Sequence, residues 1–572
     1  MKLASHYLLT LGLLSLSAYA HASVTLKVEG IPKGALLDNV NIYLDQLKNE
    51  VADGSERHQY VVQQAVDKGL RALGYYNTQY HFSQSGDVLT LQVQLDQPVK
   101  INETDISLTG QASQDSEFEK VLKEVPKKGT VLNHETYDNF KGEIETLAQK
   151  RGYFDGTWLY NRLEVYPKEH IADWRLAYDS GTRYKYGKIA FKGSQIREDY
   201  LRNILRIHTD EDYLMNDLSK ITSDYSSSKW FSSVLVEPHL NEQDKIVDLD
   251  LLFVPQKRNL VEVGIGFATD DGPRLQLNWK KPWLNNRGHN IESATYISKP
   301  EQRFEFAYNI PIKEQPLNYY YQFSGSLERE DRNDTKYTGI SAAAQRFWTH
   351  ETGWSFSGGL KARYDAFQQG NQEKQKTLLV YPTASLNRTR TDGNRYPLWG
   401  DSQKLTVDYG TKLVGSDVDF YRIKASSAWV RTLAQNHRFY LRAEVGYLNS
   451  KNFDRITPAL RYFAGGDMSV RGFGYRDISP RGSDGKLTGG SHLMTSAAEY
   501  QYQVYPNWWA AAFYDTGLSA RDFKGANLHS GAGLGVRWAS PIGAIKLDIA
   551  TPVRSPNNEK GIQFYIGLGS DL

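Results

Sequence analysis

The residues best suited to do chemistry are one guanidinium and two carboxylates. Arg471 stands between apolar neighbours in the glycine-rich run Phe463-Ala464-Gly465-Gly466-Asp467-Met468-Ser469-Val470-Arg471-Gly472-Phe473-Gly474-Tyr475, inside a stretch, 461–492, that reads as a loop. Glu499 belongs to the alternating set Glu499, Gln501, Gln503. Asp515 lies in Phe513-Tyr514-Asp515-Thr516-Gly517, beyond a turn at Pro506-Asn507. If that connection holds an odd number of residues, such as 506–508, the two acids face each other on one side of a hairpin. Like charges so placed repel, burial raises the cost, and a guanidinium reaching in from the loop would offset it with bidentate hydrogen bonds. This is anchoring chemistry rather than catalysis. On the residues alone, a solvated loop charge is the simpler reading of Arg471.

Enzymatic signatures are missing from the sequence. There is no G-x-S-x-G or H-E-x-x-H, the histidines are scattered without ligand spacing, and the chain contains no cysteine. No enzyme, no metal and no cofactor is expected. The formal charge of +2 gives bulk electrostatics no hold on nucleic acid, and no nucleotide-binding motif is present.

The elements that would position the three charged residues are strands. From Asn259 onward apolar residues alternate with polar ones, interrupted by turn clusters such as Leu284-Asn285-Asn286-Arg287-Gly288. Ala532, Leu534, Val536 and Trp538 form one face of their segment, and Gly531, Gly533, Gly535 and Arg537 the other. Ile545, Leu547 and Ile549 likewise oppose Lys546 and Asp548. Apolar outward with charge inward suits a barrel in lipid, where the closed sheet must pair every backbone group. About ten residues per strand plus connections allow around sixteen strands. An aromatic content of 12%, with 37 Tyr and 12 Trp, fits strand ends at a membrane interface. Ahead of all this, Lys2, the apolar run Tyr7 to Leu16 and the small residues Ala20 and Ala22 read as a secretory signal over 1–22.

Between signal and barrel a pattern repeats three times. Each copy opens with a short strand ending at glycine: Val28-Glu29-Gly30, Leu108-Thr109-Gly110 and Phe191-Lys192-Gly193. Each then runs through helices to an aromatic pair: Gly74-Tyr75-Tyr76, Gly152-Tyr153-Phe154, and Lys229-Trp230-Phe231, which lacks the glycine. Two strands follow each pair. The pattern places β-α-α-β-β modules at 23–97, 98–180 and 181–257, with the barrel at 258–572.

That module order resembles the polypeptide-transport-associated (POTRA) domain. Val470-Arg471-Gly472-Phe473 is similar to the VRG(F/Y) loop motif of the Omp85 superfamily, and Phe513 to Gly517 to its F-x-D-x-G strand motif; both stand in the family's order. Within the superfamily the chain is most similar to the TamA family of translocation and assembly modules. That similarity includes Trp279-Lys280-Lys281-Pro282-Trp283, Trp399-Gly400-Asp401-Ser402-Gln403, Gly415 to Phe420 and Gln563 to Gly569. The resemblance implies three periplasmic α/β POTRA domains followed by a sixteen-stranded antiparallel transmembrane β-barrel in the bacterial outer membrane. It places Val470, Arg471, Gly472 and Phe473 in the lumen, with Glu499, Phe513, Asp515 and Gly517 as their partners. It also implies work on unfolded client outer-membrane proteins such as autotransporters, contact with outer-membrane lipid, and a TamB-like periplasm-spanning protein docked on the POTRA domains. Another Omp85 member, such as a two-partner secretion transporter or the main assembly factor, and a passive porin are the alternatives.

The first and last strands of the predicted barrel each carry two glycines on the lumen face, Gly264 and Gly266, Gly567 and Gly569. Glycine weakens a strand and removes cross-strand packing. The junction is therefore expected to be a lateral seam, unless the glycines only make room for the inserted loop.

Overall fold

The computed structural model describes residues 24–47, 52–268, 271–524, 526–541, 543–556 and 560–568. The signal segment and Gly569 lie outside them. The chain forms two compact units: Met1–Ile189 with Ile207–Leu218 and Pro238–Leu249, and Ala190–Arg206 with Ser219–Glu237 and Asp250–Leu572.

Ahead of the barrel, three three-stranded sheets each carry two main helices. The first has strands Thr25–Glu29, Gln79–Ser85 and Val88–Gln94, the last of them central and parallel to the first. Its long helix, Glu56–Ala72, starts where the Ser55 hydroxyl accepts the His58 N–H at 3.3 Å, a normal N-cap. Val62, Val66 and Leu70 recur at helical spacing and pack on Leu91 and Val93 of the central strand. The second sheet (Lys100–Thr109, Ile171–Asp179, Thr157–Tyr166) buries Trp174 against Tyr137 and Phe140 of the helix His134–Arg151. The third repeats the order with Lys185–Lys192, Ile246–Pro255 and Phe231–Asn241.

The aromatic pairs have a common use. Gly74 and Gly152 end their helices in the left-handed region, with φ of 89° and 84°, and Lys229 takes the same conformation, φ 60°, without being glycine. One ring of each pair then packs at home while the other reaches onward. Tyr75 joins the first core, whereas Tyr76 brings its hydroxyl to 2.6 Å from His134 Nε2. Tyr153 lies edge-on to Phe118, while Phe154 packs on Tyr184 and Tyr213, 5.1 and 5.3 Å between centroids. Phe231 packs on Phe253, and Trp230 donates from Nε1 to the Gly288 carbonyl in the turn after the second barrel strand, at 3.0 Å.

Sixteen strands, Leu260–Ala268 through Gln563–Leu568, each pair antiparallel with the next in sequence. The outward sets read from alternation are exposed: Leu534 and Val536, Leu547 and Ile549, Val261 to Phe267. Connections after even-numbered strands lie at the end that meets the third module. Asn286 accepts from the Arg197 N–H, Lys313 pairs with Asp199 at 3.0 Å, and Glu351 with Arg206 at 2.9 Å. The long segment 450–491, between the eleventh and twelfth strands, therefore starts from the opposite end.

Candidate functional site

The segment 450–491 folds back into the barrel, stapled to itself by the isolated bridges Tyr462–Gly490, Ala464–Ile478 and Arg481–Leu487. At its tip Arg471 meets the wall. Its Nε and Nη2 donate to the two oxygens of Asp515 at 2.7 and 3.0 Å, and its backbone N–H donates to Asp515 Oδ2 at 3.0 Å. Nη1 reaches Glu499 Oε2 at 2.8 Å and Asp548 Oδ2 at 3.0 Å, and the guanidinium carbon sits 3.4 Å from the centre of the Phe513 ring. A planar five-donor fork serves three carboxylates and a ring face at once, which a point charge such as lysine cannot do.

The strands supply more than the sequence led us to expect. Asp548 is a third acid and Arg537 a second cation, bonded to Glu499 Oε1 at 2.8 Å and to Asp548 Oδ1 at 2.5 Å. Gln501 Nε2 donates to Glu499 Oε1 at 2.6 Å. All five charged side chains belong to residues no more than 7% exposed. Two guanidiniums against three carboxylates leave one negative charge (2 − 3), so neither arginine is dispensable electrostatically. Alternation had already put Arg537 and Asp548 on the lumen face. That orientation was the available signal, but nothing in the residue pattern tied them to Arg471.

One expectation is corrected. Glu499 does not face Asp515 directly: it pairs with Phe513, and Asp515 pairs with Ala497. The turn holds two residues, Pro506 and Asn507, with Tyr505 opposite Trp508, and a bulge then skips Val504 so that Gln503 meets Trp509. Without the bulge the two-residue turn would set Glu499 beside Tyr514 and send Asp515 to the lipid face. The bulge restores parity, and the acids become diagonal neighbours on one face, close enough to share the guanidinium.

The rest of the motif seals the tip. Val470 is fully buried against Gly517, where a Cβ would lie 2.9 Å from Val470 Cγ2. Gly472 adopts φ 100°, and its N–H donates to the Tyr565 hydroxyl at 3.0 Å; that hydroxyl donates to the Phe473 carbonyl at 2.7 Å. Phe473 lies edge-on to His529, 5.4 Å between centroids. Gly531 lets the loop backbone touch the wall, since a Cβ there would sit 1.8 Å from the Arg471 carbonyl oxygen. Five residues on, Arg476 pairs with Glu330 of the fifth strand, and Tyr475 lies under the Arg332 guanidinium at 4.2 Å. The loop thus grips both the C-terminal and the N-terminal parts of the wall.

At the junction, the first and last strands approach within 8 Å between Cα atoms, yet no ladder joins them among the described residues. Among the described residues the last strand pairs with Ile545–Ala550 of the fifteenth. A Cβ at Gly264 would meet nothing closer than Gln276 Cβ at 3.7 Å, and one at Gly567 only Lys546 Cβ at 4.0 Å. These two glycines do not make room for the loop; Gly517 and Gly531 do. Gly266 lies close to the Arg274 side chain.

The family model described as the Omp85 superfamily domain matches residues 261–572, more than half the chain. The chain belongs to the Omp85 superfamily. Residues 25–96 match the model described as POTRA domain TamA domain 1, and 184–256 the POTRA model described as a surface antigen variable number repeat. The chain is 22% identical, over 69% of its length and 52% of the relative's, to an outer membrane protein assembly factor BamA of Nitratidesulfovibrio vulgaris. It is 20% identical, over 80% of its length and 64% of the relative's, to the BamA of Neisseria meningitidis serogroup B. It therefore spans about half to two thirds of these curated relatives. Among solved structures, BamA from Haemophilus ducreyi lacking POTRA domains 1-3 superposes with a TM-score of 0.68 at 17% identity, covering 82% of this chain and 99% of that one, which shows the shared fold. This Omp85 protein is an outer-membrane barrel with periplasmic POTRA domains.

Proposed function

We propose that this protein assembles client outer-membrane proteins, autotransporters among them, by admitting their strands at the junction of its first and last barrel strands, while its POTRA domains dock a TamB-like periplasm-spanning partner. The observation that carries this reading is the unladdered junction, flanked on its inner side by a loop held to the wall at Arg471 and Arg476. Backbone groups at two strand edges that no ladder joins among the described residues are a template for an incoming strand. The client supplies the driving force by pairing its backbone and burying apolar surface in lipid, so no catalytic step and no nucleotide is assigned. The TamA-type first module and the three-module count support this branch of the superfamily.

Because the chain has no cysteine, one can be placed in each closing strand and the junction locked by oxidation. The locked protein should stop assembling a client autotransporter and recover on reduction; equal assembly in both states rejects the gate. Deleting 23–97 should abolish co-purification of the periplasm-spanning partner from native membranes.

A further inference from the structure

On the outer face of the wall, three arginines crowd one carboxylate. Alternation turns Leu386, Leu405 and Val407 outward, and the strand pairings Arg390–Asp401 and Asp401–Trp429 put those residues on the same face. Asp401 is fully buried. Arg390 holds it with two bonds, 3.2 and 2.7 Å, Arg431 approaches at 3.4 Å, and Arg388 at 3.7 Å. Three guanidiniums against one carboxylate leave two positive charges (3 − 1) on a face that alternation assigns to lipid.

Their setting is specific. Arg388 stacks on Trp354 at 4.5 Å, Arg390 and Arg431 on Trp399 at 5.4 and 4.9 Å, and Arg431 on Trp429 at 5.2 Å. Stacking fixes the guanidinium planes; Arg431 Nη1 is held by the Gly400 and Val430 carbonyls at 2.6 and 2.7 Å, and the buried Nε of Arg388 has no hydrogen-bond partner among the described residues. The level is also fixed. Trp399 begins the ninth strand, and Arg390 and Arg431 lie within two residues of the ends of the eighth and tenth at Thr391 and Leu433. These ends adjoin connections of the class that meets the third POTRA module, so the cluster sits at the periplasmic rim, where lipid headgroups lie. An unpaired cation is costly in hydrocarbon but favourable against an anionic headgroup.

We propose that Arg388, Arg390 and Arg431 bind the phosphate of an anionic glycerophospholipid in the periplasmic leaflet. The indoles pack beside its glycerol region, and the exposed Leu386, Leu405 and Val407 lie along its acyl chains. Arginine forks match phosphate oxygens in the same bidentate way as carboxylates. The site lies on the eighth to tenth of sixteen strands, far in strand order from the closing junction, so it holds lipid on the wall that client entry does not disturb.

The test is native mass spectrometry on the delipidated full chain in detergent, titrated in parallel with phosphatidylglycerol, phosphatidylcholine or inorganic phosphate. Wild type should retain phosphatidylglycerol in preference to phosphatidylcholine. Arg431→Gln should weaken that retention about fivefold, and Arg390→Gln with Arg431→Gln further by a similar factor. Heat-modifiable gel mobility checks that the barrel is folded, and Arg388 remains to face Asp401. Should the double variant not fold, Arg431→Gln alone decides, since it leaves the Arg390–Asp401 bonds intact. Lys336→Gln with Lys376→Gln, a charge-matched change at the other end of the wall, should change nothing. Equal retention by wild type and Arg431→Gln, equal retention of the two lipids, or displacement of phosphatidylglycerol by inorganic phosphate would each overturn the proposal.

Discussion

Asp515 holds Arg471 at three points, through both side-chain oxygens and with the loop backbone as well as the guanidinium. One carboxylate therefore fixes both the charge and the path of the loop. Arg471→Ala should leave Arg537 alone against three acids and cost the loop's closed form about 3–5 kcal/mol. Arg471→Lys should fall between, because an ammonium cannot form the fork. Limited trypsin digestion at Arg476 and Arg481 measures this, with cleavage rising in the order wild type, Lys, Ala; a loop protected equally in all three would refute the anchoring role.

The glycines of the wall divide into two kinds. Gly531→Ala drives a Cβ onto the Arg471 carbonyl and should destabilise the inserted loop by about 1–3 kcal/mol. Gly567→Ala meets open space and should be tolerated with the loop unchanged. Reading both variants by the same digestion separates them, and equal behaviour would contradict the packing described.

Lys229 occupies a left-handed helix end that its two counterparts fill with glycine. Left-handed backbone costs a residue with a Cβ about 1–2 kcal/mol, partly returned by the lower unfolded-state entropy of lysine. Lys229→Gly should thus raise the urea midpoint slightly, and a fall would show that the lysine side chain contributes something the helix end does not reveal.

Two groups in the second module make it acid-sensitive in stages. Burial holds His134 below its ordinary value, against the opposing pull of Asp138, so the neutral ring contributes stability above its unfolded pKa and loses it as pH falls through the lowered one. Burial acts to raise Asp115, but the bonds from Arg151, the Glu117 N–H and Tyr153 prevail and hold it below the carboxylate range. Its contribution persists until the pH drops below that range. Urea midpoints should therefore decline first in mild acid, a step reduced in His134→Gln, and again in strong acid, a step absent in Asp115→Asn. A mild-acid step undiminished in His134→Gln, or a strong-acid step retained in Asp115→Asn, would remove this assignment.

The barrel was legible because lipid imposes an alternation strict enough to read: the sets around Leu534 and Leu547 and the closing strands point as the pattern says. The repeats were legible for a similar reason, since a helix end and a ring that must bridge to the next element recur together. The pairing of Glu499 with Phe513 was not legible, because a bulge at Val504 depends on which neighbour the strand meets and leaves no mark in composition. Asp548 and Arg537 were read as lumenal but stayed unconnected to Arg471, since long-range register in a sheet is set by the closed wall and not by any local stretch. The arginine cluster around Asp401 escaped notice for the opposite reason. Charges on a lipid face break the alternation rule, and only the three-dimensional pairing shows that they keep company.

Tyr565 is the one described residue of the closing strand whose hydroxyl touches the plug. Were that strand to swing outward, its phenol would leave two backbone groups of the loop bare in a dry interior, so departure at the rim is felt at once in the centre. Opening thus loosens the seat of Gly472 and Phe473 while Arg471 and Arg476 still hold the rest of the loop.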